Sequence, residues 1–223
     1  MSLIIFKSKL KQTQFAPEWK YYMYEQLIND VDFDEVSKFI LDKEKEIIND
    51  NEPTKRGDQY TDGNTGLGLD SLTARFERFN VFNWQNNEIQ KLKNHILKTH
   101  EKFLHAVNFE MPKELYINCW ANVMRQGQQI KPHIHDLMPT SYLGGHITIQ
   151  CKDTFTKYIN PLHSYYNDSE TYESQNVPGK ITLFQNFIPH YTDIHNDIKE
   201  RITIAFNLYI HKEATTPNFL RLI

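Results

Sequence analysis

The chain has 223 residues, a formal net charge of -3, and Lys and Arg scattered along its length. That length suits one domain with a core that needs no covalent staples. The slightly acidic balance excludes the basic footprint of a nucleic-acid-binding protein. No apolar run approaches the roughly 20 residues needed to span a bilayer. The start, Met1-Ser-Leu-Ile-Ile-Phe6, lacks a charged stretch followed by a long apolar one. Two cysteines, Cys119 and Cys151, make no disulfide framework in a chain of this size, so a cytoplasmic protein is expected.

In chain order, Leu3 to Leu10 reads as a first strand, carried by Ile4, Ile5 and Phe6. Asp34 to Ile48 reads as a helix with Asp32 or Asp34 as its N-cap, because Val36, Phe39, Ile40, Ile47 and Ile48 recur at helical spacing. Thr54 to Asp70 is polar and holds Gly57, Gly63, Gly66 and Gly68, which predicts a loop. Gln85 to Phe109 has the apolar spacing of one long helix. After Pro112 the texture changes to strand-like runs at Glu114 to Arg125, Gly145 to Gln150, Lys180 to Gln185 and Arg201 to Ile210. The polar, tyrosine-rich stretch from Lys152 to Pro178 is expected to be a long functional loop.

Helices followed by antiparallel strands predict a mainly β protein of the α+β class. Such strands protect their edges by closing into two facing sheets, which favours a jelly-roll core backed by helices. The expected organisation is a single domain over 1–223. In it, 1–112 is a largely helical supporting part and 113–212 is the β core.

The chemistry concentrates in three places. His133 and His135 are two residues apart, so on an extended segment both side chains fall on one side. Gly127 supplies a turn before them and Pro132 fixes the entry. His190 follows the apolar run Ile181, Leu183, Phe184 and is expected at the end of that strand, where it can close a three-nitrogen metal site. Eleven residues on, Arg201 opens the run Arg-Ile-Thr-Ile-Ala-Phe-Asn. Alternation puts Arg201, Thr203, Ala205 and Asn207 on a small, polar face and Ile202, Ile204, Phe206 and Leu208 on an apolar one. A guanidinium can hold a carboxylate through two parallel hydrogen bonds. A bare His-x-His pair is weak evidence by itself, and Arg201 could instead pair with Glu200 or Asp197 at the surface.

The stretch Asn122-Val-Met-Arg-Gln-Gly127 through His135, with Gly179-Lys-Ile-Thr-Leu-Phe184, Pro189-His190 and Arg201-Ile-Thr-Ile-Ala-Phe-Asn207, resembles the 2-oxoglutarate and Fe(II)-dependent oxygenases. Among them it is most similar to a phage and bacterial group with a His-x-His signature. The resemblance covers Glu114 to His211 and implies a double-stranded β-helix. It also implies Fe(II) as metal, 2-oxoglutarate and O2 as co-substrates, and oxidation of a further substrate with release of succinate and CO2. His133, His135 and His190 are then the metal ligands. Arg201 is then placed to hold the distal carboxylate, with Thr203 offering a further hydroxyl. Asn122, which alternation puts on one face with Asn118 and Trp120, could bond the keto-acid end, although a solvated strand face explains that alternation nearly as well.

One position departs from the family pattern. The usual triad is His-x-Asp/Glu…His, and His135 stands where the carboxylate is expected. Either His135 ligates, or Asp136 swings in through a bulge. Three histidines also suit zinc. Two other readings compete. A cupin-type metal enzyme shares the Gly-x5-His-x-His start, but Met138, Pro139 and Thr140 occupy the region where its glutamate belongs. The other is a non-catalytic barrel that binds a small ligand. His195, a rival for the distal ligand, sits in a polar turn and is expected to be exposed. Cys119 is expected to be a buried small hydrophobe.

Overall fold

The computed structural model describes residues 1–8, 13–15, 18–135, 141–161, 171–211 and 218–223. Two strands come first, β1 (Ser2–Lys7) and β2 (Lys20–Leu27), followed by helix α1 (Phe33–Asp50). A small hairpin, β3 (Thr54–Arg56) with β4 (Gln59–Thr61), and two single-turn 3-10 helices at Thr73–Arg75 and Val81–Asn83 precede helix α2 (Asn87–Val107). The remaining strands are β5 (Tyr116–Met124), β6 (Ser141–Gln150), β7 (Phe155–Ile159), β8 (Thr171–Gln175), β9 (Lys180–Phe184), β10 (His190–Thr192), β11 (Arg201–Tyr209) and β12 (Leu220–Arg221).

Among the described residues the strands form a seven-stranded sheet in the order β1-β2-β9-β6-β11-β5-β12 and a three-stranded sheet in the order β10-β7-β8. Every pairing is antiparallel. The fold is therefore mainly β with few helices, as the sequence predicts. The large sheet draws strands from both ends of the chain, because β1 and β2 join it through β9.

Both helices begin where their caps dictate. The Asp32 side chain accepts from the Glu35 backbone N–H, so Asp32 rather than Asp34 is the cap of α1, and Asn86 plays the same part for α2. α2 ends on Asn108 in the left-handed region, a residue type that tolerates it. Val36 and Ile40 from α1, and Ile89, Leu92, Ile96 and Phe103 from α2, pack with Ile147, Ile181, Ile202, Ile204, Phe206 and Leu208 in one core cluster. The helices thus cover the apolar face of the large sheet. Each fully buried aliphatic side chain contributes about 1.5–3 kcal/mol, so this face dominates the stability of the sheet. Its other face looks across a cavity toward the small sheet.

Three expectations change. The Lys152 to Pro178 stretch is not a loop throughout, because it carries β7 and β8; residues 162–170, with Tyr165 and Tyr166, lie outside the described residues. In β7 the inward side chains are Thr156 and Tyr158 and the half-exposed ones are Phe155, Lys157 and Ile159. Thr156 points inward because it lines the polar cavity, whereas Tyr158 packs with Phe184 and Ile188 in a second apolar cluster. The Thr54 to Asp70 stretch includes the β3–β4 hairpin. Finally, His190 opens β10 after a turn and does not end β9.

His100, on α2, is fully buried and its Nε2 pairs with the Tyr142 hydroxyl on β6. Burial pushes its pKa down to about 4. An unfolded histidine takes up its proton near 6.5, so between 6.5 and 4 the unfolded chain binds more protons than the native one. Stability therefore falls as pH drops through that window, by up to about 3 kcal/mol for this group. Melting temperatures of the metal-free protein should be level from pH 8 to 7 and fall from 6.5 to 5. The non-titrating variant His100→Asn should reduce the fall, and a flat profile to pH 5 would contradict the reading.

Candidate metal and carboxylate site

β11 lies between β5 and β6 and fixes the cavity wall. Thr203 stands opposite Asn122, Ala205 opposite Trp120 and Asn207 opposite Asn118. On the other side Ala205 stands opposite His146 and Asn207 opposite Gly144. The face read from sequence as small and polar is the one that lines a cavity of ≈ 310 Å³.

Over this face the three histidines meet. Nitrogens of His133, His135 and His190 that can ligate an ion lie within 4.8 Å of one another. The backbone sets part of that spacing: His133 N–H donates to the His190 carbonyl at 3.1 Å, and His190 N–H donates to the His133 carbonyl at 3.0 Å. His135 N–H donates to the Asn186 carbonyl at 3.0 Å.

Each ring is turned by its second nitrogen. Nδ1 of His133 donates to the Lys131 carbonyl at 2.9 Å, and Nδ1 of His190 to the Ile188 carbonyl at 3.1 Å. Nδ1 of His135 donates to Asn207 Oδ1 at 2.7 Å. With the proton on Nδ1 in all three, each Nε2 offers its lone pair, which is the outer-shell arrangement that ligating histidines use. Burial is the main cause that lowers all three pKa values, to about 3 for His135 and well below the usual value for His190. Neutral imidazoles are the form that binds a metal. The donor set fits a divalent first-row ion. Asp136, the other candidate third ligand, lies outside the described residues, as does His163.

At the far end of the face, Arg201 is 2% exposed. Its guanidinium donates to the Thr156 hydroxyl at 3.3 Å, and its Nε has no hydrogen-bond partner among the described residues. A surface pair with Asp197 is overturned, since Asp197 binds Lys152 at 2.8 Å. Burial lowers the Arg201 pKa to about 10, so the group still carries its charge at neutral pH. A buried charge without a counter-charge costs several kcal/mol. Among the described residues no carboxylate pairs with Arg201, so an anion entering this end of the cavity would meet an unpaired cation.

Thr203 and Asn122 line the same cavity, and Asn122 is already held by the protein. Its oxygen accepts from the Thr73 hydroxyl at 2.8 Å, and its nitrogen reaches the Thr203 hydroxyl at 3.5 Å. His195 is fully buried, against expectation. Its Nε2 donates to the Lys199 carbonyl at 2.7 Å and its backbone brackets the Gln128 turn, so it is a structural residue away from the cavity. Cys119 is buried and its thiol pKa is raised by burial.

Sequence reasoning passed over His146, Thr156 and Tyr158. His146 Nε2 and the Tyr158 hydroxyl are 2.5 Å apart, and His146 lines the cavity with Arg201. Burial and the nearby Arg201 charge push His146 down to about 3. The usable signal was the alternation Gly144, His146, Thr148, which shares its face with Ala205 and Thr203.

Comparison with known proteins agrees with this picture. Residues 118–207 match a family model described as "Putative 2OG-Fe(II) oxygenase". In fold the chain is similar to a Pseudomonas putida prolyl-4-hydroxylase, with TM-score 0.54 and 9% identity over 84% of this chain and 92% of that one. It is also similar to a Trichoplax adhaerens prolyl hydroxylase solved with a hypoxia inducible factor peptide, with TM-score 0.51 and 10% identity over 83% of each chain. A third match is an oxidoreductase of the 2OG-Fe(II) oxygenase family from Burkholderia pseudomallei, with TM-score 0.43 and 14% identity over 59% of this chain. The chain spans 62% of that protein's length. No curated protein matches. The resemblance to 2OG-Fe(II) oxygenases thus stands on a sequence match and on fold, and that family uses Fe(II) and 2-oxoglutarate.

Gly144 gives the first test. A Cβ there would meet His135 Nδ1 and Asn186 Oδ1, each at 2.7 Å, and so push the ring off Asn207. Disturbing such outer-shell support weakens metal binding roughly 10- to 100-fold. Gly144→Ala should therefore bind Co(II), an optical stand-in for Fe(II), that much more weakly while keeping its circular dichroism spectrum. Unchanged affinity would remove His135 from the metal site.

Proposed function

We propose that the chain is a 2-oxoglutarate- and Fe(II)-dependent oxygenase acting as a single domain with a double-stranded β-helix core. His133, His135 and His190 are its metal ligands, and Arg201 is its anchor for the co-substrate. The observation that carries this reading is the buried Arg201 guanidinium, without a counter-charge among the described residues, in the same cavity as three Nε2 lone pairs. A dicarboxylic acid satisfies both, one end on the ion and one on the arginine.

Iron(II), when bound, supplies the O2 activation that couples oxidation of 2-oxoglutarate to succinate and CO2 with oxidation of a second substrate. The chain's own residues do the rest. Arg201 grips the distal carboxylate through parallel hydrogen bonds that Lys cannot reproduce. Thr203 offers a hydroxyl beside it, and Asn122 steers that hydroxyl. Thr156 orients the guanidinium from the small sheet. The neutral imidazoles add no negative charge, so the ion attracts a dianion more strongly and is itself held less tightly. The free thiols Cys119 and Cys151 fit a reducing compartment such as the cytoplasm.

Mixing the protein anaerobically with Fe(II) and 2-oxoglutarate should give a weak visible charge-transfer band that needs both components. Charge-assisted hydrogen bonds contribute about 1.5–3 kcal/mol, so Arg201→Ala should raise the 2-oxoglutarate concentration for half-maximal band 10- to 100-fold. Metal binding without the band would favour cupin chemistry, and absence of metal binding would favour a non-catalytic barrel.

A further inference from the structure

The cavity has a second end, and its chemistry differs from the first. Six residues separate Arg201 from Asn207 along β11, about 20 Å at the usual strand rise. His190 pairs with Tyr158, two residues along β7 from the Thr156 that Arg201 contacts, and His135 is tied to Asn207, so the three rings lie between Arg201 and the Asn207 end. Asn118, in register with Asn207, lies at this end with Trp120, Tyr209 and Phe219. Tyr209 and Phe219 pack with ring centroids 4.5 Å apart, and Phe76 packs on Trp120 at 5.8 Å.

Asn118 is 4% exposed, and its side-chain oxygen has no hydrogen-bond donor among the described residues. A buried amide oxygen without a donor costs about 1–3 kcal/mol, and a ligand N–H in the cavity would remove that cost. Among the described residues the charged groups at the rim are already engaged. Arg56 pairs with Glu77 at 2.9 Å, and the Asp62 carboxylate accepts the Gly68 N–H at 2.9 Å. Arg201 is at the opposite end. A carboxylate or phosphate would find no spare cation among these rim residues, whereas a flat, uncharged group would find aromatic walls.

We propose that this end is the subsite for the substrate to be oxidised, and that it takes a neutral, planar amide. The ligand donates an N–H to the Asn118 oxygen and accepts from the Asn118 amide nitrogen, the donor–acceptor pair that a carboxamide offers to a matching edge. Trp120 supplies the apolar face. Calling it the substrate subsite rests on the oxygenase reading; the amide preference rests only on Asn118 and its surroundings.

Benzamide, benzoate and benzamidine are suitable probes, titrated into the full chain with tryptophan fluorescence and calorimetry as readouts, beside a 2-oxoglutarate titration. Benzamide should bind at least tenfold more tightly than benzoate. Asn118→Leu should abolish that preference while changing 2-oxoglutarate affinity less than twofold, and Arg201→Ala should do the reverse. Asn118→Asp, which keeps size and shape, should switch the preference to the benzamidine cation. The proposal is overturned if benzamide does not bind, if benzoate binds equally, or if Asn118→Asp leaves the order unchanged. Loss of 2-oxoglutarate binding alone, with the amide order intact, would sink the oxygenase reading and leave the subsite standing.

Discussion

The register of β11 between β5 and β6 governs both faces of the large sheet. Antiparallel pairing on both sides fixes every residue from Arg201 to Tyr209 to one of two faces. A slip of one residue would send Ile202, Ile204 and Phe206 into the cavity and Arg201 into the helix-covered core. The pattern forbids that, because the apolar side already packs against α1 and α2. One strand thus sets both the hydrophobic core and the position of the only functional group on it that carries a full charge.

The three-histidine cluster is assembled differently, from segments that are hardly strands at all. His133 belongs to an isolated bridge and His190 to a three-residue strand, and His135 lies outside any strand. Loops can carry such groups when a rigid scaffold holds them. Here the scaffold is backbone hydrogen bonding together with the oxygen acceptors that turn each ring. Asn207 links the two systems: it belongs to β11 and aims His135.

The parts of this design that sequence discloses are those governed by local periodicity. The Arg201–Asn207 alternation, the spacing within α2 and the His-x-His pair all have a period that strand or helix geometry explains. What sequence hides depends on the cavity itself. β7 turns Thr156 and Tyr158 inward and leaves Phe155 and Ile159 half-exposed, so it reads as a polar loop although it is a strand. β2, with Lys20, Glu25 and Gln26 among its residues, is likewise camouflaged. His146 escapes notice because its relation to Arg201 exists only once β6 is laid beside β11. His195 misleads in the other direction: its polar neighbours suggest solvent, yet backbone bonds to the Gln128 turn bury it.

The reciprocal bond between the His133 and His190 backbones holds the proposed metal site in shape independently of any ion. Two of the three ring positions are tied together by main-chain geometry that owes nothing to coordination. If the cluster holds metal as proposed, a chelator should therefore strip the ion without collapsing the rings. The vacated protein would be a receptive vessel that refills quickly, unlike a zinc finger, whose shape exists only while the metal is present.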